Sequence, residues 1–156
     1  MNNEPSPGNA YLADHVCLLV DSFARLVGRH LIATAASPES TAKAIFAAEF
    51  VVLSSGLETD PLFNYANRCA LDLFELDWAA LTALPARKSA EPGHQDTRAK
   101  LMQRVIENGF IDNYSGVRIS ATGRRFMIEQ AVVWNVTDRS GGLHGQAATF
   151  KRWSDI

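Results

Sequence analysis

The feature that most constrains the fold of this chain is a change of hydrophobic period after residue 110. From 125 to 137, mostly apolar side chains recur at every second position, which is typical of a β-strand. Thr122 and Gly123 supply a turn before this strand, and DRSGG at 138–142 supplies one after it. The pattern predicts a three-stranded antiparallel meander made of residues 111–120, 125–137 and 143–151.

The first turn also predicts how two of these strands pair. If Thr122 and Gly123 are the two loop residues, Ile119 lies opposite Phe126, and one face of the pair is mostly apolar. We call this face the predicted wall; it consists of Ser115 and Gln130, surrounded by Ile111, Val117, Ile119, Phe126, Ile128, Val132 and Trp134. Such a wall suits a small-molecule pocket, and it equally suits a core with two hydrogen-bonded polar side chains.

The beginning of the sequence indicates a tail followed by a helix. Residues 1–9 are polar and contain two prolines, so we expect a disordered tail. Residues 10–36 form a predicted N-terminal segment with a helix to about residue 32, whose apolar positions lie four and three residues apart: Leu12, Val16, Leu19, Phe23 and Leu26. A seam with this spacing packs lengthwise, either on the same domain or on a second copy of the chain.

Residues 37–156 are predicted to form the main domain. Ser37 can cap a helix that has Pro38 at its first position and ends near residue 47. Residues 49–54 are rich in β-branched side chains and are followed by a glycine, which predicts a short buried strand.

The middle of the domain is predicted to be helical, with one break. The stretch PLFNYANRCALDLFEL, at 61–76, indicates short helices in which two asparagines are set among apolar residues. A polar connector with two prolines follows at 81–93. Asp96 is then expected to cap a helix over 96–108, and Gly109 is placed to end it.

Composition and charge exclude several classes of protein. The formal net charge is −2, which argues against a nucleic-acid-binding surface. No apolar run approaches the roughly 18 residues that span a bilayer. The first nine residues lack the basic and apolar regions of a secretory signal. We therefore expect a cytoplasmic protein that binds neither nucleic acid nor membrane.

The residues that catalysis and metal binding require are scattered along the chain. The four histidines do not form a His-x-x-x-His pair, and neither cysteine belongs to a zinc-type cluster. The sequence contains neither a Gly-x-Ser-x-Gly nucleophile motif nor a phosphate-binding glycine loop. It therefore predicts that the protein is not an enzyme and has no metal site.

The basic residues allow two interpretations. Arg118 is expected on the sheet face opposite the predicted wall, where it can pair with Glu129. Two basic clusters either hold an anionic ligand or an acidic partner, or are ordinary solvated charges; they are Arg87 with Lys88, and Arg124 with Arg125.

Four stretches together resemble one known family. They are PLFNYANRCALDLFEL, LPARKSAEP, GFIDNYSGVRISATGRRFMIEQAVVWNVTD and HGQAATF, which cover most of residues 46–153. The chain resembles the MEKHLA family, a PAS-related family found as free-standing bacterial proteins and at the C-terminus of plant homeodomain–leucine zipper transcription factors. The resemblance implies an α+β fold: a PAS-like five-stranded antiparallel sheet with short helices on one face, an N-terminal helix and a cavity between sheet and helices. Two strands would come from 49–54 and from around 57–58.

The resemblance also implies where a ligand would lie. It assigns Asn64, Tyr65 and Asn67 to the asparagine-rich helical segment beside the cavity of PAS domains, and Gln146 to the last strand. The asparagines can instead fix the turn between two short helices by accepting from backbone N–H groups. With the predicted wall, the predicted ligand-binding set is Asn64, Tyr65, Asn67, Ser115, Val117, Ile119, Phe126, Ile128, Gln130, Trp134 and Gln146.

Two cofactors of PAS domains can be compared with the sequence. Flavin-binding members carry an Asn-Cys-Arg-Phe-like motif, to which NRCALDLF is superficially similar, but Cys69 lies too early in the chain. Gln146 occupies a position that such members use for flavin. Haem-binding members use a histidine on the helix before the meander, whereas here only His94 lies just ahead of it. The sequence therefore argues against flavin and haem.

These observations predict a non-catalytic sensory or regulatory module. It binds an unidentified small organic molecule, forms a homodimer and signals through a separate output protein. The movable parts are expected to be residues 84–95 and the N-terminal helix seam. The alternative is a ligand-free interaction or dimerisation module that uses the sheet face opposite the wall, with Tyr114, Arg118, Met127 and Phe150.

Overall fold

The structure of the protein, a computed structural model, describes residues 3–33 and 35–156. Met1 and Asn2 of the predicted tail, and Thr34 of the predicted N-terminal segment, lie outside the described residues. The elements in chain order are α1 (Ala13–Val27), α2 (Pro38–Ala47), β1 (Val51–Ser55), β2 (Phe63–Ala66), α3 (Arg68–Phe74), α4 (Trp78–Thr82), α5 (Pro92–Asn108), β3 (Phe110–Ile119), β4 (Arg125–Thr137), β5 (Leu143–Phe150) and β6 (Arg152–Asp155). In this part of the chain, none of the helices combines the length and the hydropathy needed to cross a bilayer.

The strands form one antiparallel sheet in the order β2-β1-β5-β4-β3. Strand β6 follows β5 after one residue, Lys151, and pairs with the first half of β4. The predicted α+β fold is confirmed, and each strand of the predicted meander ends within one residue of its expected bounds. Strand β6 extends the five strands that the resemblance implied.

The predicted pairing of β3 with β4 is wrong by one residue. Ile119 lies opposite Arg125 rather than opposite Phe126. The connection is longer than two residues because the backbone N–H of Ser120 donates to the carbonyl of Arg124 at 2.9 Å, which leaves residues 120–124 outside both strands. A shift of one residue moves every side chain to the other face of its partner strand.

The shift exchanges the two faces of β3. Val117 lies opposite Met127, and Arg118 lies opposite Phe126. Val117 and Ile119 therefore leave the face that contains Phe126, although the sequence predicted them in the same wall. Arg118 joins that face and is 7% exposed, so its prediction as a surface residue paired with Glu129 is wrong.

A bulge in β4 divides the predicted wall a second time. Gln130 has a left-handed φ of 53° and is exposed, as is Ser115 on β3. Beyond the bulge the alternation resumes in the opposite phase. Val133 packs against α5, whereas Trp134 hydrogen-bonds to α1 on the other side of the sheet. Ile111 lies opposite Val133, so it too is separated from Trp134.

We call the sheet face beneath α1 the outer face and the face beneath α3 and α5 the inner face. On the outer face, the ring of Phe23 meets Trp134 edge-on at 4.9 Å. The helix seam residues Val16 and Leu19 are fully buried in the same core. The N-terminal helix thus packs on its own domain, and it ends at Gly28, whose φ of 81° suits glycine, four residues earlier than expected.

Residues 3–12 lie ahead of α1 and contact the rest of the chain. A 3-10 segment spans Pro7–Leu12. The backbone N–H of Ser6 donates to the side chain of Asn9 at 2.9 Å. Glu4, within the predicted tail, forms an ion pair of 3.0 Å with Arg68 at the start of α3.

The stretch 61–76 is helical only in its second half. Residues Phe63–Ala66 form β2, which pairs with β1, so the strand expected around 57–58 begins about six residues later. The intervening residues form the turn: Gly56 donates its N–H to the carbonyl of Leu62, and Leu62 donates to a carboxylate oxygen of Glu58 at 3.1 Å.

The flanking helices differ in how closely they follow the prediction. Helix α2 has the expected bounds, and the Ser37 hydroxyl accepts from the N–H of Ser40. Helix α5 begins at Pro92, so Asp96 does not cap it and His94 lies in its first turn. Proline lacks the N–H that the first helical turn leaves unpaired, which explains the earlier start. Gly109 ends the helix as predicted, with a φ of 92°.

Candidate functional site

A small cavity lies between the inner face of the sheet and helices α3 and α5. Its volume is about 40 Å³. A single water needs roughly 10–15 Å³ of such space, so the cavity accommodates a group of about three to four non-hydrogen atoms. Its polar lining residues are Ser89, Arg98 and Arg118, and its apolar lining residues are Leu53, Phe63, Phe74, Met102, Ile128, Val133, Ala148 and Phe150.

Strand β3 supplies the more deeply buried arginine. Arg118 donates from Nη1 to the carbonyl of Val117 at 2.9 Å and, at 3.4 Å, to the hydroxyl of Tyr114. Its guanidinium carbon lies 5.5 Å from the centre of the Tyr114 ring. Residue 116 must be glycine for this arrangement, because a Cβ there would collide with the Tyr114 hydroxyl. The tyrosine thereby positions the guanidinium at the cavity.

Helix α5 supplies the second arginine. Arg98 is partly buried and makes neither a hydrogen bond nor an ion pair with any described residue. Burial, and to a smaller extent the positive charge of Arg118, lower the pKa of Arg98 to about 10. The two guanidinium groups are therefore close enough to repel each other, and none of the described residues that line the cavity is acidic.

Of the predicted ligand-binding set, Ile128 alone lines this cavity in the part of the chain that the structure describes. Phe126 packs edge-on against Phe74 at 5.3 Å and supports the cavity wall. The one-residue shift and the bulge separate five members from it: Ser115, Val117, Ile119, Gln130 and Trp134. Their assignment to a single pocket wall was wrong in geometry.

Asn67 has a structural role in this arrangement. Its carbonyl oxygen accepts from the N–H groups of Val52 and Ala70, each at 3.1 Å. Its amide donates to the carbonyls of Ile45 and Phe50 at 3.1 and 2.7 Å. The side chain is fully buried and caps α3. Asn67 therefore fixes a turn, which was the alternative to ligand contact, although the turn joins a strand to a helix rather than two helices.

Asn64 belongs to a partly buried polar chain that the sequence did not reveal. The Ser54 hydroxyl donates to the Asn64 side-chain carbonyl at 2.5 Å and lies 2.9 Å from Nε2 of His15 on α1. Because Ser54 uses its proton toward Asn64, it accepts from the Nε2–H of His15. A histidine that already donates to a serine cannot remove the proton from it, so the trio is not a nucleophile with its base.

Burial reinforces this conclusion for His15. It lowers the pKa of the imidazole from 6.5 to about 4, and the nearby His144 acts in the same direction. The ring is therefore neutral at pH 7. Among the described residues, histidine, cysteine and acidic side chains do not form any group of three or more that could hold a metal ion.

Gln146 is used to attach α5 to the sheet. Its amide donates to the carbonyl of Met102 at 3.0 Å. One strand away, the amide of Asn135 donates to the carbonyl of Val105 at 3.1 Å. Since both bonds join the inner face to α5, they fix the helix that carries Arg98.

Tyr65 is the remaining member of the predicted set. It is fully buried, with its ring 5.8 Å from that of His15 and 6.1 Å from that of Trp78. Its hydroxyl has no hydrogen-bond partner in residues 3–33 or 35–156. Burial raises the pKa of this phenol above its usual range.

The two predicted basic clusters lie outside the cavity and are exposed. Arg87 pairs with Asp60 at 3.1 Å, and Arg125 pairs with Glu91. Exposed pairs of this kind stabilise a fold by about 0–1 kcal/mol. The clusters therefore carry charge that is already partly neutralised by the chain itself.

Two larger grooves are open to solvent. The first, of about 460 Å³, lies between the end of α1 and the outer face and includes Phe23, Leu31 and Lys151. The second, of about 610 Å³, includes Cys69 and Trp153. Their charged side chains are exposed, whereas those of the inner cavity are desolvated.

The sequence model of the MEKHLA domain matches residues 13–155. This chain belongs to the MEKHLA domain family. The match begins at the first residue of α1 and so crosses the boundary that the sequence predicted between an N-terminal segment and a domain starting at residue 37.

Curated relatives of this MEKHLA domain are plant homeobox-leucine zipper proteins. REVOLUTA of Arabidopsis thaliana is 25% identical over 162 residues, which cover 100% of this chain and 19% of the relative. HOX10 of Oryza sativa subsp. japonica is 29% identical over 152 residues, or 96% of this chain and 18% of the relative. The chain spans about a fifth of the length of these relatives.

Solved structures show that the MEKHLA domain has the PAS fold. The PAS domain of a protein from Colwellia psychrerythraea is similar with a TM-score of 0.61 and 16% identity, over 76% of this chain and 95% of that chain. An RNA-binding light-oxygen-voltage receptor is similar with a TM-score of 0.63 and 18% identity, over 81% and 35%. Both likenesses concern the fold alone.

Sequence reasoning missed Arg98 and Arg118 as residues of the site. Arg98 is one of several charged residues on α5, and nothing in its spacing distinguishes it from the exposed Arg104. Arg118 was assigned to the wrong sheet face because the loop between β3 and β4 was assumed to have only two residues. The glycine two residues before it was the available signal, since glycine within a strand often marks a close approach by another group.

Proposed function

We propose that this MEKHLA domain is a non-catalytic sensory or regulatory module that binds a small organic molecule in the inner cavity. The observation that carries the proposal is a mostly apolar cavity between sheet and helices whose lining includes Arg118, a charged residue that is only 7% exposed. Apolar pockets with few polar groups are the usual form of small-molecule sites. Similarity to PAS and light-oxygen-voltage domains supports a sensory role.

The proposed signal is a change in how α5 packs on the sheet. A ligand shifts an equilibrium only if it binds two arrangements differently. The cavity contacts the segment before α5 through Ser89 and α5 itself through Arg98 and Met102. On β4, Val133 contacts α5 while its neighbour Trp134 contacts α1, which connects the cavity side to the outer face. Residues 84–95 and α1 are the proposed movable parts.

In this proposal the domain acts in the cytoplasm, as a homodimer, through a separate output protein. Two free cysteines, Cys17 and Cys69, are compatible with a reducing compartment. The net charge of −2 makes nucleic acid an unfavourable partner.

A ligand-free interaction module is the second candidate, and the small volume of the cavity favours it. A typical ligand pocket has roughly 300–1,000 Å³, several times more than the 40 Å³ found here. The contact surface would differ from the one that the sequence suggested, because Arg118 and Phe150 are only 7% and 3% exposed.

One experiment separates the two candidates. Protein purified from its host under mild conditions is analysed by native mass spectrometry and, after solvent extraction, by small-molecule mass spectrometry. The sensory proposal expects one bound molecule per chain, and hydrogen exchange that is slower at 84–108 with ligand than without. Absence of any bound molecule, together with no thermal shift across a metabolite panel, supports the interaction module instead.

A further inference from the structure

Four of the eleven arginines, Arg25, Arg104, Arg139 and Arg152, are exposed and form no ion pair with a described carboxylate. The other seven fall into two groups. Five of them, Arg29, Arg68, Arg87, Arg124 and Arg125, are 43–54% exposed and form ion pairs with carboxylates. Arg98 and Arg118 are more buried and have no carboxylate partner among the described residues. This distribution is opposite to what stability requires, because water stabilises exposed charges whereas buried charges need a partner.

We infer that the inner cavity binds a small organic carboxylate between the guanidinium groups of Arg98 and Arg118. The inference rests on the proposed function, since it names the chemical class of that ligand. A carboxylate supplies the negative charge that both arginines lack, and its two oxygens match the planar N–H pairs of guanidinium groups. Binding would also offset the repulsion between the two guanidinium groups.

The remaining walls favour a carboxylate over an inorganic oxyanion. Apart from the arginines and Ser89 the lining is apolar, and it includes the side chains of Phe63, Phe74 and Ile128. Phosphate or sulfate has polar oxygens on every side and would leave some of them against these walls without a donor, which is costly. A carboxylate has one charged end and one apolar end, so it satisfies both parts of the cavity. About three to four non-hydrogen atoms correspond to acetate, and propionate, with one more carbon, tests the upper limit of the cavity.

The edge of the sheet offers an entry route. Arg118 lines both the inner cavity and an open cleft of about 220 Å³ at β3, which also includes His94 and Thr97 of α5. An incoming anion meets Arg118 at the base of the cleft and reaches the cavity when α5 moves away from β3. The same movement is the proposed signal.

Isothermal titration calorimetry on the full chain tests the inference, with sodium acetate and sodium propionate as probes. Acetamide provides a neutral molecule of the same shape, and sodium nitrate and phosphate provide anions without an apolar end, all at equal ionic strength. The inference predicts binding of acetate and propionate, and weakening by about tenfold or more in Arg98→Met and in Arg118→Met. Arg104→Met, on the exposed side of α5, should bind as the unchanged protein does.

The outcomes separate this inference from the function on which it rests. Equal binding of acetamide, preference for phosphate, or unchanged acetate binding in both arginine variants with native melting temperatures overturns the carboxylate. Release of a neutral organic molecule from purified protein overturns it too, while leaving the sensory function supported. Acetate binding that depends on both arginines but changes no hydrogen exchange at 84–108 supports the carboxylate and contradicts the sensory function.

Discussion

The outer and inner faces of the sheet differ in whether their buried polar groups have partners. On the outer face, the indole N–H of Trp134 donates to the Ser22 hydroxyl at 3.1 Å, and His15 lies within 2.9 Å of the Ser54 hydroxyl. On the inner face, Arg98 and Arg118 lie at a cavity without a carboxylate from the described residues. On the outer face these buried polar groups pair with one another and the Tyr65 hydroxyl alone is without a partner among the described residues, whereas the inner face has two charges that its own residues do not neutralise.

This difference separates structural from functional polar residues better than residue type does. Asn67 and Gln146 were predicted to contact a ligand, yet hydrogen bonds to the backbone account for their side chains. A buried charge that no carboxylate of the fold neutralises reduces stability, so its retention points to a task outside the fold.

The largest expected effect comes from truncating the outer face. Trp134→Ala removes a fully buried indole that packs on Phe23 of α1, and should lower the free energy of unfolding by about 3–5 kcal/mol. Urea unfolding measures the change. Trp153→Ala is the control. Trp153 is only partly buried, so its replacement should lower the free energy of unfolding clearly less. An equal loss for both tryptophans would mean that α1 contributes little to the outer face.

The buried imidazole of the outer face should make stability depend on pH. The pKa of His15 is lowered from 6.5 to about 4 in the folded protein, so between these values the unfolded chain binds the additional proton. The neutral imidazole therefore makes its full contribution to the unfolding free energy above pH 6.5. This contribution is lost as the pH falls toward 4, and the loss is up to about 3 kcal/mol. In His15→Gln, the fall in unfolding free energy between pH 7 and pH 4 should be smaller by about 2–3 kcal/mol.

Urea unfolding across this pH range provides the test, with the exposed His30→Gln as the control that should retain the full slope. Parallel pH profiles for His15→Gln and the unchanged protein would show that the imidazole is not held neutral by the fold.

Removing a charge from the inner face should raise the unfolding free energy rather than lower it. Arg98→Met replaces an unpaired, partly buried cation with an apolar side chain, and should raise the unfolding free energy by about 1 kcal/mol in carboxylate-free buffer. Arg104→Met on the same helix should stay within about 0.5 kcal/mol of the unchanged protein. A loss of stability in Arg98→Met alone would mean that the fold already satisfies this guanidinium.

The smallest expected effect concerns the hydroxyl of Tyr65. Because it is buried without a hydrogen-bond partner among the described residues, Tyr65→Phe removes a desolvated donor and should stabilise the protein by about 0.5–1 kcal/mol. Thermal and urea unfolding both report it. Tyr11→Phe, at a partly buried ring, should be close to neutral. A marked loss of stability in Tyr65→Phe would reveal a partner for the hydroxyl.

Much of the fold followed from local patterns. The helix from Pro38 to Ala47 and the three long strands are defined by capping residues, turn residues and the alternation of apolar side chains, which act within a few positions. Strand β2 was missed because its four residues are too short for a period, and because the asparagines on either side of Tyr65 are typical of turns.

The site could not be predicted because it depends on register. A loop of five residues instead of two moved Arg118 into the core, and one residue in left-handed conformation, Gln130, moved Trp134 to the other side of the sheet. Neither event changes the hydrophobic pattern of β4. The alternation thus located β4 correctly but placed some of its side chains on the wrong face of the sheet.

The most direct test of the central claim locates a carboxylate in the protein by NMR. Intermolecular nuclear Overhauser effects are recorded from the methyl protons of ¹³C-labelled acetate to the side chains of the labelled protein. The account predicts contacts to Ile128 and Met102, which line the inner cavity, and their loss in Arg118→Met. Contacts confined to the open grooves, at Trp153 or Leu31, or no contacts at all, would contradict it.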